Sequence, residues 1–125
     1  MKFRSNQAIY LQIGDYVCEN ILLKLWKEGD RLPSVRELAV NIEVNPNTVM
    51  HTYSFLQDKG IIFNQRGKGY FVADSAFDNT NKLKRKDFIK NELPYLFKTM
   101  DLLNLSFTEL KNHYTKYKTK RGDSK

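Results

Sequence analysis

The strongest constraint in this chain is a pair of helix starts with almost nothing between them. Ser34-Val35-Arg36-Glu37 has the form of a capping box. There the serine hydroxyl accepts the backbone N–H three residues on, and the glutamate reaches back. Asn45-Pro46 is a second start, with Asn45 as cap and Pro46 at the first helical position, where a missing N–H costs nothing. Val35, Leu38, Ala39 and Ile42 give the first helix an apolar face, and Val49, Tyr53 and Leu56 give the second a buried stripe. Gly60 closes the second helix. Only Glu43 to Asn45 join the two, the spacing of a helix-turn-helix.

The flanks complete the pattern. Residues 7–25 predict a helix, with Ile9, Ile13, Val17 and Ile21 four apart, Tyr10 and Tyr16 beside them, and Ser5 or Asn6 as cap. Gly29-Asp30 breaks the periodicity, and Arg31-Leu32 is extended because Pro33 follows. After Gly60, Ile61-Ile62-Phe63 and Tyr70-Phe71-Val72 predict two strands around Asn64–Gly69, where Gly67 and Gly69 suit a tight hairpin. The expected fold is mainly α with a small β-hairpin. An N-terminal winged helix-turn-helix over residues 1–75 is followed by a polar linker, 76–82. A helical dimerisation or effector region, 83–118, and a basic flexible tail, 119–125, complete the chain.

Charge alone does not identify a partner. The net charge is +7, but residues 1–74 contribute only +1 of it and residues 75–125 the other +6. A basic tail is often a solvated end. The case for a nucleic-acid partner therefore rests on patterning in the first half.

There the second helix of the pair begins with Asn45, Pro46, Asn47 and Thr48 and continues outward through Met50, His51 and Ser54. In a helix-turn-helix this end enters the major groove. Asparagine can pair with adenine, threonine can touch a thymine methyl, and free N–H groups at a helix start can bind phosphate. Arg36 projects from the preceding helix and can grip phosphate or guanine. Arg66, Gly67 and Lys68 form a cationic hairpin tip that can approach a backbone or minor groove. Each residue also has a plainer reading. Asn45 and Pro46 can be there for capping, Asn47 and Thr48 as ordinary first-turn residues, Arg36 as a surface arginine, and Gly67-Lys68-Gly69 as a bland turn. His51 reads equally as a DNA contact or a surface histidine. What favours the functional reading is their convergence at one end of the motif.

The string Gly29-Asp30-Arg31-Leu32-Pro33-Ser34-Val35-Arg36-Glu37-Leu38-Ala39 resembles the signature of GntR-family regulators. Val44-Asn45-Pro46-Asn47-Thr48-Val49, Tyr53, Leu56, Gly60 and Arg66-Gly67-Lys68-Gly69-Tyr70-Phe71-Val72 continue it. The short tail and Val-Asn-Pro-Asn-Thr-Val are similar to the YtrA-type subfamily. The resemblance implies a dimeric repressor whose recognition helix and wing clasp palindromic half-sites of double-stranded operator DNA. It places the family's arginine on the first helix of the pair at Arg36, the recognition-helix start at Asn45–Thr48 and the wing glycine at Gly67. The chain departs from the pattern in one respect: many relatives carry an arginine at the position of Met50 or of His51, and this chain has it at neither.

Beyond the linker, residues 83–103 are helical in pattern, and Pro94 is expected to kink or divide them. Ser106-Phe107-Thr108-Glu109 is another capping box, opening a helix to about Tyr117. Phe88, Leu93, Leu96, Phe97, Met100 and Leu103 form an apolar stripe. It fits either packing on the first domain or pairing with a second copy as a homodimer. Pairing is favoured because a two-fold dimer reads two half-sites. A small-molecule effector, if there is one, is expected between these helices.

An enzyme is not expected, for no phosphate loop or catalytic constellation is present. Nor is a metal or cofactor. His51 and His113 lie far apart in sequence, and Cys18 stands alone, which reads as packing in a reducing, cytoplasmic setting. No apolar run approaches the ~18 residues of a membrane span, and Met1-Lys2-Phe3-Arg4 does not open a signal peptide. The competing reading is a winged helix that binds protein or RNA without operator specificity. Such a variant would replace Arg36, Asn47 and Thr48 with apolar or acidic groups.

Overall fold

The computed structural model describes residues 7–122. It divides into two compact units between Lys84 and Arg85. The first holds α1 (Ile9–Leu22), α2 (Val35–Ile42), α3 (Pro46–Asp58), β1 (Ile62–Gln65), β2 (Gly69–Val72) and most of α4 (Ala76–Asp87). A π-helical turn, Phe88–Glu92, then α5 (Leu93–Leu103) and α6 (Phe107–Lys120) belong to the second.

Both capping signals of the helix-turn-helix form as the sequence indicates. The Glu37 N–H donates to Ser34 Oγ at 3.1 Å, and the Ser34 N–H donates to Glu37 Oε1 at 2.7 Å. Glu43 ends α2 in the left-handed region at φ 56°, a conformation uncommon for a residue with a side chain. That reversal lets Val44 and Asn45 turn the chain into α3. Both α1 and α2 pack on α3. Ile13, Val17, Ile21, Leu38, Ala39, Val49, Tyr53, Leu56, Ile61, Ile62 and Val72 form the core.

Helix α1 is shorter than its periodicity suggests. Ile9 is exposed, so the buried stripe is Ile13, Val17 and Ile21. The cap position is Ala8, with no side-chain cap, and Ser5 and Asn6 lie outside the described residues. At the other end Lys24 has φ 61°, which stops the helix before Leu25. Cys18 is buried, and burial pushes its thiol up to about 12, Lys84 lowering it and Asp15 raising it by smaller amounts.

The hairpin pairs Ile62 with Val72, Phe63 with Phe71, Asn64 with Tyr70 and Gln65 with Gly69. Its turn is therefore only Arg66-Gly67-Lys68. A third segment joins the sheet from a distance. Gly29 N–H donates to the Val72 carbonyl at 2.9 Å, Val72 N–H to Asp30 at 2.8 Å, and Leu32 N–H to Tyr70 at 2.8 Å.

The expected linker, 76–82, is instead the start of α4. Its buried residues there are Ala76 and Thr80, with Leu83 packed against the core. Small and hydroxyl side chains at helical spacing make a contact face that hydropathy does not flag. Asn79 Nδ2 also donates to the Gly60 carbonyl at 2.9 Å, and Lys84 pairs with Asp15.

Pro94 does divide the following helix. It cannot supply an N–H to the Lys90 carbonyl one turn back. The ladder widens just upstream, where Leu93 N–H reaches the Phe88 carbonyl, and α5 resumes with Pro94 in its first turn. Asn104, at φ 58°, ends α5. Ser106 and Glu109 form the second capping box, at 3.1 and 2.9 Å. Helix α6 runs on to Lys120, so the expected tail begins inside it, and residues 123–125 lie outside the described part.

Candidate nucleic-acid interface

Helix α3 is held from its inner side. Thr52 is buried, its hydroxyl 2.7 Å from the Tyr10 carbonyl oxygen and 3.1 Å from that of Thr48. Tyr53 is buried too. Its hydroxyl donates to the Pro33 carbonyl at 2.7 Å, and its ring meets Tyr70 edge-on at 4.8 Å. Burial raises the Tyr53 phenol above its ordinary value, so the donor keeps its proton. These contacts fix α3 against α1, against the segment before α2 and against the hairpin.

The opposite face is free of that packing. Asn45, Pro46, Asn47, Met50, His51 and Ser54 are exposed, and Thr48 is half-buried. The backbone N–H groups at this helix start are not free, however, which corrects the expectation of an open phosphate cradle. Asn47 N–H donates to Asn45 Oδ1 at 2.7 Å, and the Thr48 and Val49 N–H groups donate to the Asn45 carbonyl at 2.9 and 3.3 Å. Pro46 has no N–H. The Asn45 oxygen is thus spent on capping, leaving side chains to meet a ligand.

His51 is exposed but not loose. Its ring stacks on Tyr10, with centroids 3.7 Å apart and planes 10° from parallel. Tyr10 in turn meets Phe55 edge-on.

Arg36 is exposed near the start of α2. It lines an open depression with Arg31, Pro33 and Glu37. The backbone and hydroxyl bonds from Ser34 hold the Glu37 carboxyl below its ordinary value, with Arg31 a lesser cause. Arg66, Gly67 and Lys68 are exposed at the hairpin tip. Gly67 has φ 78° and Gly69 φ 116°, angles that favour glycine. The Lys68 N–H closes the turn on the Gln65 carbonyl at 2.8 Å, and Arg31 Nε donates to the Lys68 carbonyl at 3.2 Å.

Arg31 therefore lines the same depression as Arg36 and bonds to the hairpin tip, a role sequence reading did not give it. Its position in an extended segment was legible. Its partner, 37 residues on, was not. Tyr10 was likewise read as a flank of the core stripe, and its stack on His51 depends on the packing of α1 on α3.

In the second unit the apolar stripe splits. Phe88, Phe97 and Leu103 are exposed, Leu93 and Leu96 are half-buried, and Met100 is buried within the chain. Ile89, Tyr95, Leu102, Phe107, Tyr114 and Tyr117 are exposed apolar residues outside the expected set. Among the described residues no three His, Cys, Asp or Glu side chains gather as a metal site. No helix there is long and apolar enough to cross a membrane.

A helix-turn-helix with a cationic hairpin beside an exposed, polar recognition-helix start defines a winged-helix DNA-binding regulator. The profile of the bacterial regulatory proteins of the gntR family matches residues 9–72. The chain belongs to the GntR family of DNA-binding transcription regulators. It is 39% identical over 109 residues to the uncharacterized HTH-type transcriptional regulator YhcF of Bacillus subtilis, covering 87% of this chain and 88% of that one. It is 47% identical over 73 residues to the HTH-type transcriptional repressor YtrA of the same organism, covering 58% of this chain and 56% of YtrA. The crystal structure of a putative GntR-family transcriptional regulator from Bacteroides thetaiotaomicron superposes with a TM-score of 0.75 at 40% identity, over 92% of this chain and all of that one. These relatives are all named as transcription regulators.

Proposed function

We propose that the protein is a repressor that binds a palindromic operator as a homodimer. Asn47, Thr48 and His51 of α3 read base edges in the major groove. Asn45 and Pro46 set the helix start, and Asn45 keeps its amide N–H groups for a base or phosphate. Arg36 grips a phosphate or a guanine, and Arg66 and Lys68 of the wing, carried by the Gly67 turn, hold the flanking backbone. The second unit supplies the pairing surface through Phe88, Phe97 and Leu103, with Leu93 and Leu96 at its margin. Met100 supports this surface from within. A small-molecule effector would act by changing how two copies pair. The protein works in the cytoplasm, where its operator is.

The observation that carries this reading is the exposed polar face of Asn47, His51 and Ser54 on a helix whose inner side is fully packed. A surface kept for protein contact would be apolar or acidic there. Similarity to the repressor YtrA supports the sign of regulation.

Fluorescence anisotropy with a duplex from the region upstream of the chain's own gene tests it. Wild type should bind a duplex with two half-sites far more tightly than one with a single half-site. Arg36→Ala should weaken binding by about 1–3 kcal/mol. Equal affinity for RNA hairpins and for duplexes of any sequence would overturn operator specificity.

A further inference from the structure

The wing of this protein is a small hairpin, and a two-stranded hairpin is marginal by itself. The segment Gly29–Leu32 reinforces it, but its backbone bonds reach only Asp30 to Val72, Gly29 to Val72 and Leu32 to Tyr70. The tip beyond Tyr70 has no third strand. Arg31 extends the hold to that tip. Its backbone pairs opposite Phe71, and its side chain runs diagonally toward the turn. There Nε–H meets the Lys68 carbonyl at 3.2 Å. The guanidinium also lies over Gly69, where an added Cβ would stand 3.2 Å from Nε and 3.5 Å from Nη2. A side chain at 69 would push the arginine off its seat.

The electrostatics point outward. Arg31, Arg66 and Lys68 are all exposed, and Arg31 shares its depression with Arg36. The acidic neighbour there, Glu37, is engaged by Ser34. Gathering cations repel one another in the free protein, and a polyanion relieves that repulsion.

We propose that Arg31 is a positioning residue for the wing, fixing the Lys68 backbone so that the cations of the tip meet the DNA backbone in register with Arg36. The inference rests on the reading of the wing as a DNA contact. It adds how the tip is held and which residue, outside the tip, sets its affinity.

Four full-length proteins test it: wild type, Arg31→Met, which keeps an unbranched stem but has no donor for the Lys68 carbonyl, the wing-neutral Arg66→Ala/Lys68→Ala pair, and the triple variant. Each is titrated against a duplex from the upstream region of the chain's own gene, with the thermal midpoint recorded. Residues that act as a unit are non-additive. Arg31→Met should therefore weaken binding about tenfold in wild type and less than about twofold in the wing-neutral background. Arg31→Lys keeps a donor and should fall between. The same comparison made with lysine covers the case in which the methionine variant does not fold. If Arg31→Met binds like wild type while the wing-neutral variant binds weakly, the positioning role is overturned and the wing reading survives. An equal loss in both backgrounds overturns it as well, because Arg31 would then act on DNA directly. A wing-neutral variant with undiminished affinity, or a wild type that binds no such duplex, removes the wing reading and the positioning role together.

Discussion

Helices α1 to α3 of the first unit close their apolar stripes on one another, so that Ile13, Val17, Val49, Tyr53 and Leu56 are almost wholly removed from water. Helices α5 and α6 of the second unit are well formed, and α6 has as good a capping box as α2. Yet Leu102, Leu103 and Phe107 are each more than 70% exposed, and among the described residues of that unit Met100 is the buried apolar one. Caps and periodicity make a helix, and only a second apolar face makes a core. The first unit has its second face within the chain. The second unit offers apolar area of the kind monomeric proteins rarely leave bare, which is why pairing of two copies is the reading proposed for it.

The largest expected effect is the sharpest test of this contrast. Leu56→Ala removes a fully buried side chain from the inner face of α3 and should cost about 2–5 kcal/mol of unfolding free energy. Leu103→Ala, at an exposed position of similar chemistry, should change the stability of dilute protein by less than about 0.5 kcal/mol. Urea titration at low protein concentration measures both. At high concentration Leu103→Ala should instead weaken self-association, seen by light scattering. Comparable losses for the two variants in dilute solution would mean that the second unit has a core of its own.

Tyr53→Phe comes next. It leaves the ring packed on Tyr70 but deprives the Pro33 carbonyl of its donor. The expected cost is about 1–3 kcal/mol, read as a lower urea midpoint with unchanged slope. Because this bond ties α3 to the segment that also pairs with the hairpin, operator affinity should fall with it. A loss of stability with no change in affinity would show that the wing side of the first unit is built without that tie.

What could be read beforehand divides along the same lines. The caps at Ser34, Asn45 and Ser106, the three-residue joint and the two glycines of the wing are local signals, and each appears where its residues demand. The same holds for Pro94, whose missing N–H acts on the turn just before it. Long-range pairings left no local trace. Arg31 meets Lys68, Tyr10 meets His51, and Gly29–Leu32 adds to the sheet, each through contacts set by packing. The first part of helix α4, residues 76–82, was hidden for a different reason. Its buried residues, Ala76 and Thr80, carry too little apolar surface to stand out among Asp78, Asn79, Asn81 and Lys82. At the interface, the exposed side chains were legible from the pattern, while the consumption of the helix-start N–H groups by Asn45 required the geometry.

Thr80 also gives the third test. Its hydroxyl is buried without a hydrogen-bond partner, which costs desolvation with no return. Thr80→Val keeps the shape and should stabilise the first unit by about 1 kcal/mol or more. A destabilised valine variant in thermal or urea melts would mean that the hydroxyl has a partner in solution.

The smallest effects should come from deleting the same cap in both units. In Ser34→Ala and Ser106→Ala an identical capping box is lost, and the local cost of each is about 1 kcal/mol. Ser34 begins a helix whose Leu38 and Ala39 lie in the core. Freeing its first turn disturbs the packing on α3, so the loss should appear in the global unfolding of the first unit. Helix α6 has no buried residue, and its first turn can fray without opening any core. Ser106→Ala should therefore leave the urea midpoint of dilute protein unchanged and speed hydrogen exchange at the first amides of α6 alone. The logic is that a cap is worth to the whole molecule only what its helix contributes to a core. A Ser106→Ala variant whose global midpoint falls as far as that of Ser34→Ala would show that α6 is already part of a buried assembly at low concentration.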